Sequence, residues 1–134
     1  MKQHYSVILV GGGQAGLSIS YCLKSKGIDH IVLEKNHIGY SWQQKRWDTF
    51  CLVTPNWQCT LPGYHYPGSD PDGFMERDEI VEYVKDYARS FSPPIKEGVE
   101  VFSVKKNSSK GLFELETSIG YQTADQVVIA TGSY

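Results

Sequence analysis

The stretch Val10-Gly11-Gly12-Gly13-Gln14-Ala15-Gly16 decides how the rest of the chain is read. It holds the spacing G-x-G-x-x-G, a weak signal alone that gains meaning from its surroundings. Before it, Tyr5 to Val10 is a short β-branched apolar run closed by glycine, and it reads as a buried central strand. After it, Gln14 to Lys26 has helical periodicity, with Ala15, Ile19, Cys22 and Leu23 on one face. Gly27 ends that helix, and Lys24 and Lys26 occupy its last turn, where the helix dipole favours cations. His30 to Glu34 is a second buried strand. Strand, helix and strand within about 30 residues make a βαβ unit.

Each part of this unit has a physical reason. Gly11 permits the tight turn, Gly13 lets the backbone approach a diphosphate, and Gly16 lets the helix pack closely on the strand. The backbone of Gln14 and Ala15 opens the helix, whose N-terminus offers free N–H groups and partial positive charge to an anion. Glu34 lies 23 positions after Gly11. That is close to the spacing of about 20 at which an acid accepts hydrogen bonds from ribose hydroxyls. A carboxylate there repels a 2′-phosphate, so the site favours FAD or NAD over NADP. The prediction is an α/β dinucleotide-binding fold.

Composition bounds the alternatives. The chain has 134 residues, 40% hydrophobic and 21% charged, enough for one core and too apolar for disorder. No run of about 20 apolar residues is present, so no membrane span is expected. Thirteen basic residues against fifteen acidic ones leave a net charge of −2, without the basic excess that nucleic-acid binding shows. The apolar run Val7 to Val10 stops at glycine, too short for a secretory signal core. Cys22, Cys51 and Cys59 lack metal or C-x-x-C spacing and read as buried or free thiols of a reducing cytoplasm. His4, His30, His37 and His65 show no ligand spacing, and no metal is expected.

Beyond the βαβ unit, Lys35 to Met75 is aperiodic and holds all three tryptophans. A loop of that length inside a compact domain is usually functional or disordered, and its many rings argue against disorder. Arg77 to Phe91 is an amphipathic helix with Ile80, Val81, Val84, Tyr87, Ala88 and Phe91 in one stripe. Ser92-Pro93-Pro94 stops it. Val99 to Val104 reads as a strand, Lys105 to Gly111 as a solvated hairpin tip, and Phe113 to Thr117 as the hairpin partner. Tyr121 to Thr123 adds a third strand, and Gln126 to Ala130 is a final buried run leading into Thr131-Gly132.

An NAD-binding Rossmann domain continues with short alternating βα units. This order of elements instead resembles the FAD-binding domain of two-dinucleotide flavoproteins. Gly39-Tyr40-Ser41-Trp42, Arg46-Trp47-Asp48, Leu52-Val53-Thr54-Pro55-Asn56-Trp57 and Leu61-Pro62-Gly63 resemble the flavin-containing monooxygenase superfamily, and more narrowly the bacterial CzcO-like flavoproteins. Phe74-Met75-Glu76-Arg77-Asp78 and Val127-Val128-Ile129-Ala130-Thr131-Gly132 are similar to two further segments of those proteins.

The resemblance implies a Rossmann-like FAD/NAD(P)-binding three-layer fold: a parallel sheet, helices and a small antiparallel β-meander, incomplete at the C-terminus. It implies that Gly11, Gly13, Gln14, Ala15 and Gly16 hold the diphosphate of FAD, and that Glu34 with Lys35 holds the adenosine ribose. Val101 meets the adenine through its backbone. Trp42 and the stretch Arg46 to Asp48 lie along the ribityl chain and flavin ring, Thr54 and Pro55 help shape the flavin pocket, and Thr131 and Gly132 close over the cofactor near the diphosphate. Arg46 and Asp48 are the candidates for the reactive face. In such enzymes NADPH reduces the flavin by hydride transfer; oxygen then reacts with the reduced flavin, and a small organic substrate is oxygenated. The nicotinamide cofactor needs a second glycine motif, which this chain lacks. Residues 1–134 are therefore expected to be part of an FAD-binding domain, without the nicotinamide-binding domain and with the substrate unnamed.

Two other readings stand beside this one. A disulfide reductase wants two closely spaced cysteines soon after the ribose-binding acid, where this chain has Tyr40, Ser41 and Trp42. A non-catalytic or vestigial dinucleotide-binding fragment would keep the glycine loop without turnover. If a later strand normally completes the sheet, a bare edge is expected to make the isolated chain self-associate.

Overall fold

The protein is described by a computed structural model covering residues 2–40, 43, 56, 60–65, 67–70 and 72–131. Trp42, Arg46, Asp48, Thr54 and Gly132 lie outside the described residues. The elements are β1 (His4–Val10), α1 (Gln14–Ser25), β2 (His30–Glu34), α2 (Arg77–Phe91), β3 (Ile95–Glu97), β4 (Val101–Asn107), β5 (Leu112–Thr117) and β6 (Gly120–Ile129).

The strands form one six-stranded sheet in the order β3-β2-β1-β6-β5-β4. β1 lies parallel to β2 on one side and to β6 on the other, with Leu9 opposite Val32 and Val128. β4, β5 and β6 form an antiparallel meander. β6 belongs to both halves. Gly120 to Ala124 pair with β5, while Thr123 to Ile129 pair with β1. The two segments expected at 121–123 and 126–130 are therefore one strand. β3 was not legible in the sequence; its three residues pair in parallel with the outer edge of β2. The strand expected from Val99 begins at Val101 and carries a register shift between Val101 and Ser103.

Alternation along the central strands divides the core. Val7, Leu9 and Val32 point to one side, where Ile19 and Leu23 of α1 cover them. Ile8, Ile31 and Leu33 join Val99, Leu115 and Ala124 in a separate cluster, so the meander curls back over β1 and β2. Each fully buried aliphatic chain in these clusters contributes about 1.5–3 kcal/mol.

α2 packs on the outside of α1 through a third cluster that includes Leu17, Ile80, Val84 and Tyr87. α1 is thus covered on two flanks, and its buried residues are Gly16, Leu17 and Ser20. Ala15 and Cys22, expected on the buried face, are exposed. The Ser20 hydroxyl lies 2.8 Å from Nε2 of buried His30, whose Nδ1 lies 2.8 Å from the carbonyl of Ile28. That chain of hydrogen bonds ties α1 to β2.

α2 has the predicted bounds for local reasons. Its N-cap Glu76 and Glu79 form a capping box, and Asp78 and Glu79 occupy the first turn. Its C-cap Ser92 has φ 48°, and Lys24 of α1 donates to the carbonyls of Phe91 and Ser92. These bonds occupy groups that a helix end otherwise leaves unmet.

Candidate functional site

The glycine loop sits where β1 ends and α1 begins. Gly11 has φ 113°, and a methyl group there would collide with the carbonyl of Ala130 at the end of β6. A methyl group on Gly16 would collide with the carbonyl oxygen of Gly11. Both positions therefore require glycine for close approach, as the motif predicts for Gly16. Gly13 is different. It is exposed, and a methyl group there would meet nothing within 4 Å. The space in front of Gly13 is open.

The two helix N-termini contrast. α2 is capped by Glu76 and carries two acids in its first turn. α1 has Gly13 as its N-cap, no side chain capping it and no acid in its first turn. The start of α1 thus keeps its partial positive charge and backbone donors free of acidic side chains, in open space. That arrangement suits a bound anion. Exposed Gln14 and Ala15 belong to this turn.

Glu34, half-buried at the end of β2, accepts hydrogen bonds from two backbone amides. Gly12 N–H donates to Oε1 at 2.8 Å, and Asn36 N–H donates to Oε2 at 2.7 Å. The carboxylate thereby holds the glycine loop and its own following turn. Sequence reasoning missed this role of Gly12, because it occupies a position the motif leaves free. Gly12 is also sterically constrained: a methyl group there would lie 2.9 Å from Cδ1 of Ile95 and 3.1 Å from Cβ of Glu34.

The turn after β2 is laced to the start of the meander. Val99 N–H donates to the carbonyl of Glu34 at 2.9 Å, and Gly98 N–H to that of Asn36 at 3.0 Å. Glu97 Oε2 accepts from the amide of Ile38 at 2.8 Å. These bonds bring Val101, at the start of β4, close in the fold to Glu34. Lys35 is exposed and pairs with Glu100, the residue before Val101, at 3.5 Å. Exposed Thr131 follows Ala130, whose amide donates to the carbonyl of Val10 at 2.8 Å.

Gly11, Gly13, Gln14, Ala15, Gly16, Glu34, Lys35, Val101 and Thr131 thus gather at the C-terminal ends of β1, β2 and β6 and at the start of β4. In open α/β sheets, ligands bind beyond the carboxyl ends of the strands. Glycines too crowded for a side chain, one glycine facing open space, an uncapped helix N-terminus and a nearby carboxylate fit the adenosine diphosphate part of a dinucleotide. Trp42, Arg46, Asp48, Thr54 and Gly132 lie outside the described residues.

No helix among the described residues is long and apolar enough to cross a membrane.

Residues 8–134 match the family described as pyridine nucleotide-disulphide oxidoreductase. An uncharacterized CzcO-like oxidoreductase of Geobacillus kaustophilus is 38% identical over the whole chain, which spans 38% of that protein. The indole-3-pyruvate monooxygenase YUCCA6 of Arabidopsis thaliana is 34% identical over 90% of the chain, which covers 29% of it. A flavin-containing monooxygenase from Stenotrophomonas maltophilia superposes with a TM-score of 0.88 at 27% identity, over 98% of this chain and 39% of its own. The bacillithiol disulfide reductase of Staphylococcus aureus shares the fold, with a TM-score of 0.85 at 22% identity, over 97% of this chain and 39% of its own. The chain therefore spans little more than a third of the length of its first relatives.

Proposed function

From the premise that the chain belongs to the pyridine nucleotide-disulphide oxidoreductase family, we propose that it binds FAD as the cofactor-binding part of a flavin-dependent monooxygenase of the CzcO-like type. The observation that carries this reading is the pairing of open Gly13, at the uncapped start of α1, with Glu34. The amides of the first turn would hold the diphosphate. Glu34 already accepts two amides, and the remaining lone pairs of its oxygens would accept the ribose hydroxyls. Val101 would meet the adenine through its backbone, and Thr131 would lie beside the diphosphate. Trp42, Arg46, Thr54, Asp48 and Gly132 enter on the resemblance alone. When bound, the flavin would supply hydride and oxygen chemistry; the residues of this chain bind and orient it.

NADPH is the implied reductant of a full-length enzyme, and residues 1–134 carry no second glycine motif for it. The likeness to CzcO-like and YUCCA proteins favours oxygenation of a small organic substrate over disulfide reduction. The cysteines, without metal or C-x-x-C spacing, support a cytoplasmic location. The single glycine motif also supports a second reading, a dinucleotide-binding fragment without turnover.

The test is the visible absorbance spectrum of the purified chain with and without FAD, followed by NADPH under anaerobic conditions. A flavin band that persists with NADPH is the expected result for a cofactor-binding part that lacks the nicotinamide site. Bleaching would show that the nicotinamide site is present after all. No band in excess FAD would overturn the cofactor assignment for this chain.

A further inference from the structure

β3 brings one side chain up against the glycine loop. A methyl group on buried Gly12 would lie 2.9 Å from Cδ1 of Ile95, so that terminal methyl stands where a Gly12 side chain would be. Gly12 is not among the glycines of positive φ. Space, and not backbone conformation, therefore demands glycine there.

Ile95 is held in that place from both ends of β3. Before the strand, Val32 N–H donates to the carbonyl of Pro94 at 2.8 Å. After it, Gly98 and Val99 donate to the carbonyls of Asn36 and Glu34 at 3.0 and 2.9 Å. Between these fastenings Ile95 pairs with Val32 and packs, half-buried, against the cluster of Val7, Leu9 and Val32. A three-residue strand fixed at both ends leaves its side chain little freedom to withdraw.

The loop has two fastenings of its own. Gly11 N–H donates to the carbonyl of Leu33 at 2.9 Å, and Gly12 N–H donates to Oε1 of Glu34 at 2.8 Å. Gly13, the N-cap of α1, follows directly. The place of Gly12 therefore sets two things at once: where the start of α1 lies and how the Glu34 carboxylate is turned.

We propose that Ile95 is a positioning residue for the nucleotide: its Cδ1 methyl bears on Gly12 and keeps the glycine loop and Glu34 in the arrangement that receives a diphosphate and a ribose, without touching either. This rests on the reading of the chain as an FAD-binding domain, and it concerns only the adenosine diphosphate end. ADP is therefore a sufficient probe.

The test uses a reciprocal change of size. Ile95→Val removes the Cδ1 atom, and Gly12→Ala adds one methyl group at the same place. In Gly12→Ala the loop has to lift away from Ile95. In the double variant the added methyl takes the space that Cδ1 vacates, and only Cβ of Glu34, at 3.1 Å, has to yield by a few tenths of an ångström. ADP affinity is measured by calorimetry for the native chain and the three variants. The expected loss is about tenfold for Gly12→Ala and about threefold for Ile95→Val, with the double variant within about twofold of the native chain. A ligand-free readout accompanies it: in Ile95→Val the Gly12 amide should exchange its hydrogen about tenfold faster, while the amides of β1 keep their rates. Losses that multiply in the double variant overturn the proposal, since Ile95 and Gly12 would then act independently. An Ile95→Val chain with native ADP affinity, or one whose Gly12 and β1 amides quicken alike, overturns it too. If Gly12→Ala does not fold, Ile95→Val decides alone by the same two criteria. A native chain that binds no ADP overturns the cofactor reading itself and this inference with it.

Discussion

The amide of Gly12 donates to Oε1 of Glu34 at 2.8 Å, so the acid that closes β2 holds the middle of the glycine loop. The same carboxylate receives the amide of Asn36 on its other oxygen. Glutamine offers one acceptor oxygen and turns an N–H₂ group toward the second amide. Glu34→Gln should cost about 1–3 kcal/mol of stability in urea unfolding. It should also weaken ADP binding. Unfolding midpoints that coincide for the two proteins would show that the two amide bonds contribute nothing net.

Gly13 and Gly16 separate binding from folding. Gly16→Ala drives a methyl group into the Gly11 carbonyl and should destabilise the chain by about 1–3 kcal/mol. Gly13→Ala places a methyl group in open space at φ −82°, which alanine tolerates, so stability should change by no more than about 0.5 kcal/mol. ADP affinity in Gly13→Ala should nevertheless fall about tenfold, because the methyl group occupies the space a diphosphate needs. Unaltered ADP affinity in this variant would remove Gly13 from the site.

Tyr121 donates its hydroxyl to Glu114 across the β5–β6 ladder. The bond holds the Glu114 carboxyl below its usual range and pushes the Tyr121 phenol above its own. For Glu114, the stabilisation is complete above the unfolded carboxyl pKa and is lost as pH falls through the lower folded value. For Tyr121, it is complete below the unfolded phenol pKa and is lost as pH rises through the higher folded value. Melting temperature should therefore be highest on a plateau between about pH 5 and 9 and decline at both ends. Tyr121→Phe should flatten both declines slightly, as expected for exposed groups. Superimposable melting profiles from pH 3 to 11 would show the bond to be absent in solution.

The edges of the sheet are unevenly guarded. β3 is three residues long with two charged side chains, and β4 carries Lys105, Lys106 and a register shift. Short strands, lysines and bulges all discourage edge pairing. Among the described residues, Asp125 to Ile129 of β6 pair only with β1, and Ile129 is 63% exposed. We expect the 134-residue chain to self-associate there. Sedimentation should show concentration-dependent growth in mass for the native chain and a monomer for Ile129→Lys. A native chain that stays monomeric at high concentration would count against this edge as a contact.

The βαβ unit, the reach of α2 and the turn residues were legible because their signals are local. A four-residue apolar run before glycine, a 3.6-residue stripe and a Ser-Pro-Pro stop act over one or two turns of chain. Glu34 was legible as a candidate site residue through its spacing from Gly11. Its bonds to Gly12 and Asn36 were not, because they depend on where the ends of β1 and β2 meet. The closeness of Ile95 to Gly12 was equally hidden: the two residues lie 83 positions apart, and no motif pairs them.

The sequence by itself determined the strand-helix-strand start, the glycine loop with its acid, and a meander following a second helix. Only the tertiary structure decided which face of α1 is buried. A helix covered by the sheet on one flank and by α2 on the other encloses Leu17 and Ser20 and leaves Cys22 in solvent. It also decided that β3 exists and that 120–129 is a single strand. A three-residue strand has too little intrinsic preference to form without the edge of β2 beside it. A strand shared by two ladders is defined by its neighbours, since hydrogen bonds to β1 and β5, and no local propensity, carry it through residues 123 and 124.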